Sequence, residues 1–460
     1  MLRASAVCEA AGIPTSSLIC EGFVQQAKAV SGGLAMNLPV AVACGHIAVQ
    51  GREVLKQNIL EATLEQVIAN LTRVAAPESA GKGEPGARDI VFTGGFDAVN
   101  AHFYEREWSD GLPIVPPTLE KIESFLRRTD RQPDESLGTL LPEQRQATIW
   151  SVAVNAVMAG CRPEYMPLLV AMVEALADPR FGVEHSGATP GGETLVIVSG
   201  PMVKDLGFNF TQGVMRDGIM PNTSIGRFWR LYLRNVAGFR LHQNDKATYG
   251  NTWRVVVAEN GDCIRANGWS SFSADRGFED GQNSVTIANY TGGNVVATVS
   301  GDPRTQMLPY LADAMVRQIS WQLCFTVGAG LGKLHPLLLL TPILVETFAQ
   351  AGISKQDVKQ YLFEHARISA SQFQRILSDW SQLIPGCDLA AKAQAGEIPK
   401  VFGDSADPER PVPLVWTPED YQIVVTGDPL RNNAYVFAPS GLRGYAVTKA
   451  VALPAKRGPD

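Results

Sequence analysis

The chain has no concentration of charge of one sign. Among its 460 residues, 40 are Lys or Arg and 46 are Asp or Glu, which gives a net charge of −6. No run of basic residues is longer than two. The charge pattern therefore gives no reason to expect nucleic acid or a membrane surface as a partner, and a small-molecule substrate is the expected ligand.

Long hydrophobic runs and cysteine pairs are also lacking. The longest apolar run, LHPLLLLTPILV at 334–345, contains two prolines and is shorter than the ~20 residues that span a bilayer. The chain starts without a basic segment followed by a long apolar one, so no secretory signal is predicted. Seven cysteines without a CxxC pair are typical of intracellular thiols. These observations predict a cytoplasmic protein.

Two common catalytic signatures are missing as well. No GxSxG motif is present, which argues against a serine-hydrolase triad. The six histidines show neither HxH nor HxxxH spacing, so no metal site is predicted. The sequence identifies no cofactor.

The pattern of apolar residues predicts an α/β protein in two parts. A small parallel α/β unit is expected at 1–75, with short strands at SSLIC and PVAVAC. Its last segment is an amphipathic helix, with apolar residues mostly four apart; these are Leu55, Ile59, Leu60, Leu64 and Ile68. The stretch APESAGKGEPGARD predicts a linker at 76–89. A large mixed α/β domain is expected at 90–460.

The small unit is expected to be incomplete. Helix, loop and strand at 2–20 correspond to the second half of a βαβ unit, whose first strand would precede the helix. A strand supplied by a segment upstream of Met1, or by a separate small subunit, would complete it. The predicted consequence is an unpaired sheet edge with apolar side chains exposed beside it.

The strand ends of the small unit carry the first candidate site. Cys20 ends one strand, and Cys44 and His46 follow the next. Since ligands bind at the carboxyl ends of parallel strands, these groups are expected at one functional edge. A thiol beside an imidazole can have a lowered pKa. The alternative is that Cys20 and Cys44 are small buried hydrophobic residues.

A second candidate site lies at GCRPEYMP, between two predicted buried helices. There Cys161, Arg162, Glu164 and Tyr165 come together at a helix break. Arg162 could bind a carboxylate or phosphate. The alternative is a structural junction in which Arg162 pairs with Glu164.

Three further residues are assigned to the larger domain's side of the site. Asp110 begins the segment DGLPIVPPT, His185 begins a glycine-rich turn, and Ser199 ends the strand that follows this turn. Cys161, Glu164, His185, Cys44 and His46 are the predicted catalytic residues. The predicted substrate-binding residues are Arg162, Asp110, Tyr165, Cys20 and Ser199.

The segments DGLPIVPPT and NAVMAGCRPEYMP resemble the UGSC family of bacterial proteins and selenoproteins, named for a selenocysteine or cysteine followed by Gly-Ser-Cys. GGETLVIVSGPMVKDLGFN and VVTGDPLRNNAYVFAPSG are similar to further segments of that family, in the same order. The resemblance implies thiol or selenol redox or nucleophilic chemistry. This chain departs from the family pattern because it has no Cys-Gly-Ser-Cys, and because it has Asn432-Asn433-Ala434 where a His-Ser pair is expected.

The resemblance also suggests where the family motif would lie. In relatives the motif precedes the helix that matches LRASAVCEAAGIPT, so this chain would be a selenoprotein truncated at a UGA codon. The leading hypothesis is a thiol- or selenol-dependent reductase or nucleophilic enzyme acting on a small anionic or electrophilic substrate in the interdomain cleft. Alternatives are a non-catalytic metabolite-binding subunit and a non-redox lyase or dehydratase. A homo-oligomer is compatible with each of these hypotheses.

Overall fold

The fold is described from a computed structural model, which defines residues 2–34, 36–45, 49–73, 85–251, 256–325, 334–440 and 445–453. His46 and residues 76–84 of the expected linker lie outside the described residues. The predicted α/β class is confirmed: helices surround one two-stranded parallel sheet and one large mixed sheet. Within the described ranges, none of the helices has the length and apolar character needed to cross a membrane.

The small N-terminal unit is built around two parallel strands. Cys20 is in register with Ala43, and Ser17 with Val40. Helices flank this sheet, and a π-turn at 59–63 joins the last two helices into one continuous helical segment. In chain order the elements are α1 Leu2–Ala10, β1 Ser17–Cys20, α2 Val24–Gly33, β2 Val40–Ala43, α3 Arg52–Asn58 and α4 Leu64–Thr72.

The final helical segment of this unit packs with its polar side against the sheet. Gln66 Oε1 accepts a hydrogen bond from Val42 N at 3.0 Å, and Asn70 Nδ2 donates to Val40 O at 3.0 Å. These side chains therefore occupy the free edge of β2 in place of another strand. The apolar side of α4 faces solvent instead, and Leu64 and Ile68 are 42% and 55% exposed. An amphipathic helix normally buries its apolar face, so the hydrogen bonds to β2 account for the reversal.

The larger part contains thirteen of the α-helices in the described ranges. Two of them, α7 and α8, are almost wholly buried because their sequences are apolar on every side. The helices are α5 Phe96–Glu105, α6 Leu119–Leu126, α7 Ile149–Ala159, α8 Met166–Ala177, α9 Met202–Asp205, α10 Met220–Tyr232, α11 Gly261–Ala266, α12 Phe272–Asp275, α13 Leu308–Ile319, α14 Pro342–Gln350, α15 Lys355–His365, α16 Ala370–Arg375 and α17 Leu389–Gln394.

Seven strands of the larger part form the large mixed sheet. Its strand order is β11-β8-β12-β7-β5-β6. The seventh strand, β13, pairs with the long strand β7, next to the segment of β7 that pairs with β12. Two short strand pairs, β3 with β4 and β9 with β10, lie outside it. The strands are β3 Ser136–Leu140, β4 Arg145–Thr148, β5 Glu193–Ser199, β6 Val256–Ala258, β7 Ser284–Val296, β8 Leu337–Leu340, β9 Arg367–Ser369, β10 Pro411–Pro413, β11 Gln422–Val425, β12 Ala434–Pro439 and β13 Val447–Ala450.

The large sheet is strongly curled. Alternate side chains along its strands enter different cores, so that Leu195 and Ile197 of β5 join one apolar cluster while Val196 and Val198 join another. Twist of roughly 20–25° per strand pair adds up across the sheet. The carboxyl ends of its two edge strands consequently meet, and Asn260 N donates to Val425 O at 2.8 Å.

Candidate functional site

The helix break predicted at GCRPEYMP is a sharp turn between α7 and α8. Gly160 has φ +76° and ends α7 in the left-handed conformation that glycine adopts readily. Arg162 and Glu164 are exposed, whereas Tyr165 is buried. The alternative pairing of Arg162 with Glu164 is not found, because Glu164 accepts a hydrogen bond from Arg128 at 3.1 Å instead.

Both oxygens of the Asp110 carboxylate accept hydrogen bonds from Arg227 of α10. Arg227 Nη2 and Nε donate to its two oxygens at 2.9 and 3.1 Å. Burial opposes ionisation of Asp110, but the hydrogen bonds and charge of Arg227 outweigh burial and lower its pKa. Arg227 also donates to Pro113 O at 2.8 Å. This arrangement is a structural clamp that fixes the DGLPIVPPT segment on α10.

Cys161 lies beside this clamp. Its thiol is hydrogen-bonded to Ser224, and it interacts electrostatically with Arg227 and Tyr165. The residue retains some exposed surface, but burial of the thiol raises the pKa of Cys161 to about 12. A thiolate is the nucleophilic form of cysteine, so Cys161 is held in its unreactive form at neutral pH. The structure thus brings Asp110, Cys161 and Tyr165 together without giving them a reactive thiolate.

His185 lies in a different environment. It belongs to a single 3-10 turn at Val183–His185. Its neighbour Glu184 pairs with Arg3 of α1 at 3.1 Å, and His185 Nε2 is 3.9 Å from the same carboxylate oxygen. These contacts join the glycine-rich turn to the first helix of the small unit.

Cys20 and Cys44 lie at the same edge of the small sheet. Because Cys20 is in register with Ala43, Cys44 comes one residue beyond the end of β2. Cys44 is exposed and Cys20 is partly exposed. Gln50 Nε2 donates to Cys44 O at 2.5 Å, which holds the turn after β2. The expected imidazole partner, His46, is outside the described residues.

Ser199 lies at a site that the sequence patterns did not reveal. It ends β5, and its Oγ donates to the carboxylate of Glu259, the residue that follows β6. Glu259 is 2% exposed. Phe272 N, at the start of α12, donates to Oε1 and Oε2 of Glu259 at 2.8 and 3.1 Å. The two adjacent parallel strands therefore place a hydroxyl and a carboxyl in contact at their carboxyl ends.

The carboxyl of Glu259 is poised to exchange a proton near neutral pH. Burial raises the pKa of Glu259 from its ordinary value of 4.5 to about 7. The charge of Lys355 and the hydrogen bond from Ser199 oppose that rise. General acid–base groups function best with a pKa near the working pH.

A small cavity adjoins Glu259. Its volume is about 30 Å³, and its wall includes the backbone of Gly200 and Gly261, so it is comparable to the space of one water molecule. Gly200 has φ +101°, and a side chain there would clash with the backbone at 283. The remaining wall includes charged side chains, of which Lys204 and Arg265 both pair with Asp262.

Behind Glu259 lies a buried group of charges. Lys355 Nζ and Lys359 Nζ approach the same oxygen of Asp275, Oδ2, at 2.8 and 2.9 Å. The two lysines are 3% and 6% exposed. They are four residues apart in α15 and therefore project from one face of that helix. Buried lysines are uncommon unless they are paired, so this group marks an unusual environment.

One sequence signal could have located this site. Glu259 follows directly after the apolar run VVVA, at the position where parallel strands present ligand-binding groups. We applied that rule only to the strand ends of the small unit, at Cys20, Cys44 and His46. Within the described ranges, no three His, Cys, Asp or Glu side chains are grouped so that they could hold a metal ion.

Searches against protein-family models, curated proteins and solved structures found no match to this chain. Functional inference therefore depends on the geometry of the chain itself.

Proposed function

We propose that the chain is an enzyme of the hydratase or dehydratase type, in which Glu259 transfers a proton to and from a small anionic substrate. The observation that carries this proposal is the position of the Glu259 carboxyl. It is buried, it accepts hydrogen bonds from Ser199 and from a backbone N–H, and it lines a cavity at the carboxyl ends of two parallel strands.

The proposed reaction adds or removes water next to a carboxylate. In the dehydration direction, ionised Glu259 takes the proton from the carbon beside the substrate carboxylate. The electron pair of that C–H bond forms the carbon–carbon double bond, and hydroxide leaves the neighbouring carbon. Glu259 returns its proton to the hydroxide, which becomes water, so no oxidant or reductant is needed.

Lys204 and Arg265 are the proposed partners of the substrate carboxylate. Both line the cavity wall and both pair with Asp262. Two cations that share one carboxylate leave one positive charge available for an anionic substrate. Arg265 suits a carboxylate because its guanidinium can donate two parallel hydrogen bonds.

Exchange of a carbon-bound hydrogen with solvent tests this proposal. The protein is incubated in D2O with a panel of 3-hydroxy acids, and deuterium on the carbon beside the carboxylate is followed by NMR. We expect Glu259→Gln to slow incorporation by at least about a hundredfold. Glu193→Gln is the matched control, because Glu193 is equally buried but lies at the opposite end of β5. Retained exchange in Glu259→Gln, or no exchange with any acid of the panel, would contradict the proposal.

A second proposal is thiol-dependent reduction at Cys20 and Cys44, which the resemblance to the UGSC family also suggests. Cys20 is opposite Ala43 in the adjacent strand and Cys44 is the next residue, so the two cysteines lie at the same edge of the small sheet. The two thiols would become one disulfide while a small disulfide substrate gains two electrons and two protons and becomes two thiols. With oxidised glutathione as the probe, Cys20→Ser or Cys44→Ser should abolish reduction. The buried control Cys263→Ser should not, and equal rates in all variants would refute this proposal.

A further inference from the structure

The turn at 270–275 separates Glu259 from helix α15. On one side of the turn, Phe272 N donates to both oxygens of Glu259. On the other side, Ser270 O accepts a hydrogen bond from Lys355 Nζ at 3.1 Å. Asp275, at the end of the turn, accepts from the same Nζ at 2.8 Å. Lys355 therefore fixes both ends of the segment that holds Glu259.

Several charges are grouped around this turn. Lys355 and Lys359 together carry two positive charges, and Asp275 supplies one negative charge. The other oxygen of Asp275, Oδ1, accepts from Ser270 Oγ at 2.6 Å. The charge of Glu419 acts on Lys359, whereas the charge of Lys355 acts on Glu259. Buried charges are stable only when they are compensated, and an ionised Glu259 adds to the compensation of Lys355.

The two lysines differ in their relation to Glu259. Lys355 bonds to Ser270 as well as to Asp275, and its charge acts directly on Glu259. Lys359 bonds to Asp275, and the effect of burial lowers its pKa. The pair thus offers a functional residue and a matched control on adjacent turns of one helix.

We infer that Lys355 is a positioning residue whose fixed ammonium holds the turn at 270–275 against Glu259 and favours the ionised form of its carboxyl. This inference rests on the proposed acid–base function. The other groups that face Glu259 are Ser199 from β5, Asp275 from α12 and, across the cavity, Lys204, Asp262 and Arg265. Lys355 acts on Glu259 but does not line the cavity, so its contacts are separate from those that a substrate would make.

Infrared titration of the full chain tests this role without a substrate. The protonated-carboxyl band that disappears in Glu259→Gln is assigned to Glu259, and its midpoint is followed with pH. In Lys355→Met the midpoint should rise by about one pH unit, because a nearby positive charge is removed. Lys359→Met should move it much less, and Lys355→Arg should restore the original midpoint.

Asp275→Asn provides a second test in case Lys355→Met does not fold. Asp275→Asn removes a negative charge that raises the pKa of Glu259, so its midpoint should fall. An unchanged midpoint in Lys355→Met, or a shift equal to that of Lys359→Met, would overturn the inference. If Lys355→Met does not fold, the inference is overturned when the titration midpoint of Glu259 is unchanged or raised in Asp275→Asn. The proposed function fails separately, through retained deuterium exchange in Glu259→Gln.

Discussion

Replacing Glu259 by Gln should alter how the stability of the protein depends on pH. In the folded chain the pKa of Glu259 is about 7, against its ordinary value of 4.5. Between these two values the folded state binds more protons than the unfolded state, so stability falls as pH rises. One pH unit corresponds to about 1.4 kcal/mol, and ionisation of Glu259 therefore costs the folded state about 3 kcal/mol at pH 8.

Glutamine keeps the shape of the side chain and removes the titration. Its carbonyl can still accept from Phe272 N, and its amide can donate to Ser199 Oγ. Every other group titrates equally in both proteins and cancels in the difference. Glu259→Gln should therefore gain about 2 to 3 kcal/mol relative to the wild type between pH 5 and pH 8, because part of the effect is already present at pH 5.

Urea unfolding at pH 5, 6, 7 and 8 measures this difference. Asp262→Asn serves as the control, because its partners Lys204 and Arg265 lower the pKa of Asp262 and move its titration below this range. Its stability should run parallel to that of the wild type. A constant difference between Glu259→Gln and wild type from pH 5 to pH 8 would refute the reasoning, since the carboxyl would then be ionised throughout.

Three further outcomes follow from other parts of the chain. Iodoacetamide at pH 8 should modify the exposed Cys44 at least about a hundredfold faster than Cys161, because burial raises the pKa of the Cys161 thiol to about 12. Peptide mass mapping measures the two modification rates, and similar rates would contradict the burial of Cys161. Asp110→Asn should lower the free energy of unfolding by about 3 kcal/mol, because the charge of Arg227 loses its compensation. Urea unfolding measures this loss, and a value below about 1 kcal/mol would show that the Asp110–Arg227 pair contributes little to stability. Gly200→Ala should cost about 2 kcal/mol or more through its positive φ and a backbone clash, and an unchanged melting temperature would argue against that conformation.

The pattern of apolar residues was sufficient to predict the class of fold. The parallel strands ending at Cys20 and Ala43, the buried helix pair around Gly160 and the strand ending at Ser199 all follow from local periodicity. The orientation of α4 could not be predicted in this way. Its polar face packs on the sheet because Gln66 and Asn70 bond to the backbone of β2, and periodicity does not reveal such a partner.

Less of the site than of the fold could be predicted from the sequence. Ser199 is 60 residues before Glu259, and Lys355 is 85 residues beyond Ser270, while each alone has an ordinary sequence context. Their grouping depends on the pairing of β5 with β6 and on the bonds from α15 to the segment at 270–275. The alternative interpretation, a salt bridge between Arg162 and Glu164, could not be tested from the sequence, because Glu164 pairs with Arg128, which lies 36 residues earlier in the chain.

The closure of the large sheet has a consequence for the order in which the protein can assemble during synthesis. Thr426 and Ala258, which bond where the two edge strands meet, are 168 residues apart in the chain, and Lys355 is 85 residues beyond Ser270. A chain emerges from the ribosome N-terminal end first. Glu259 therefore emerges long before the lysine that balances its charge and the strand that completes its surroundings. The proposed acid–base site can therefore form only after the last quarter of the chain has been synthesised.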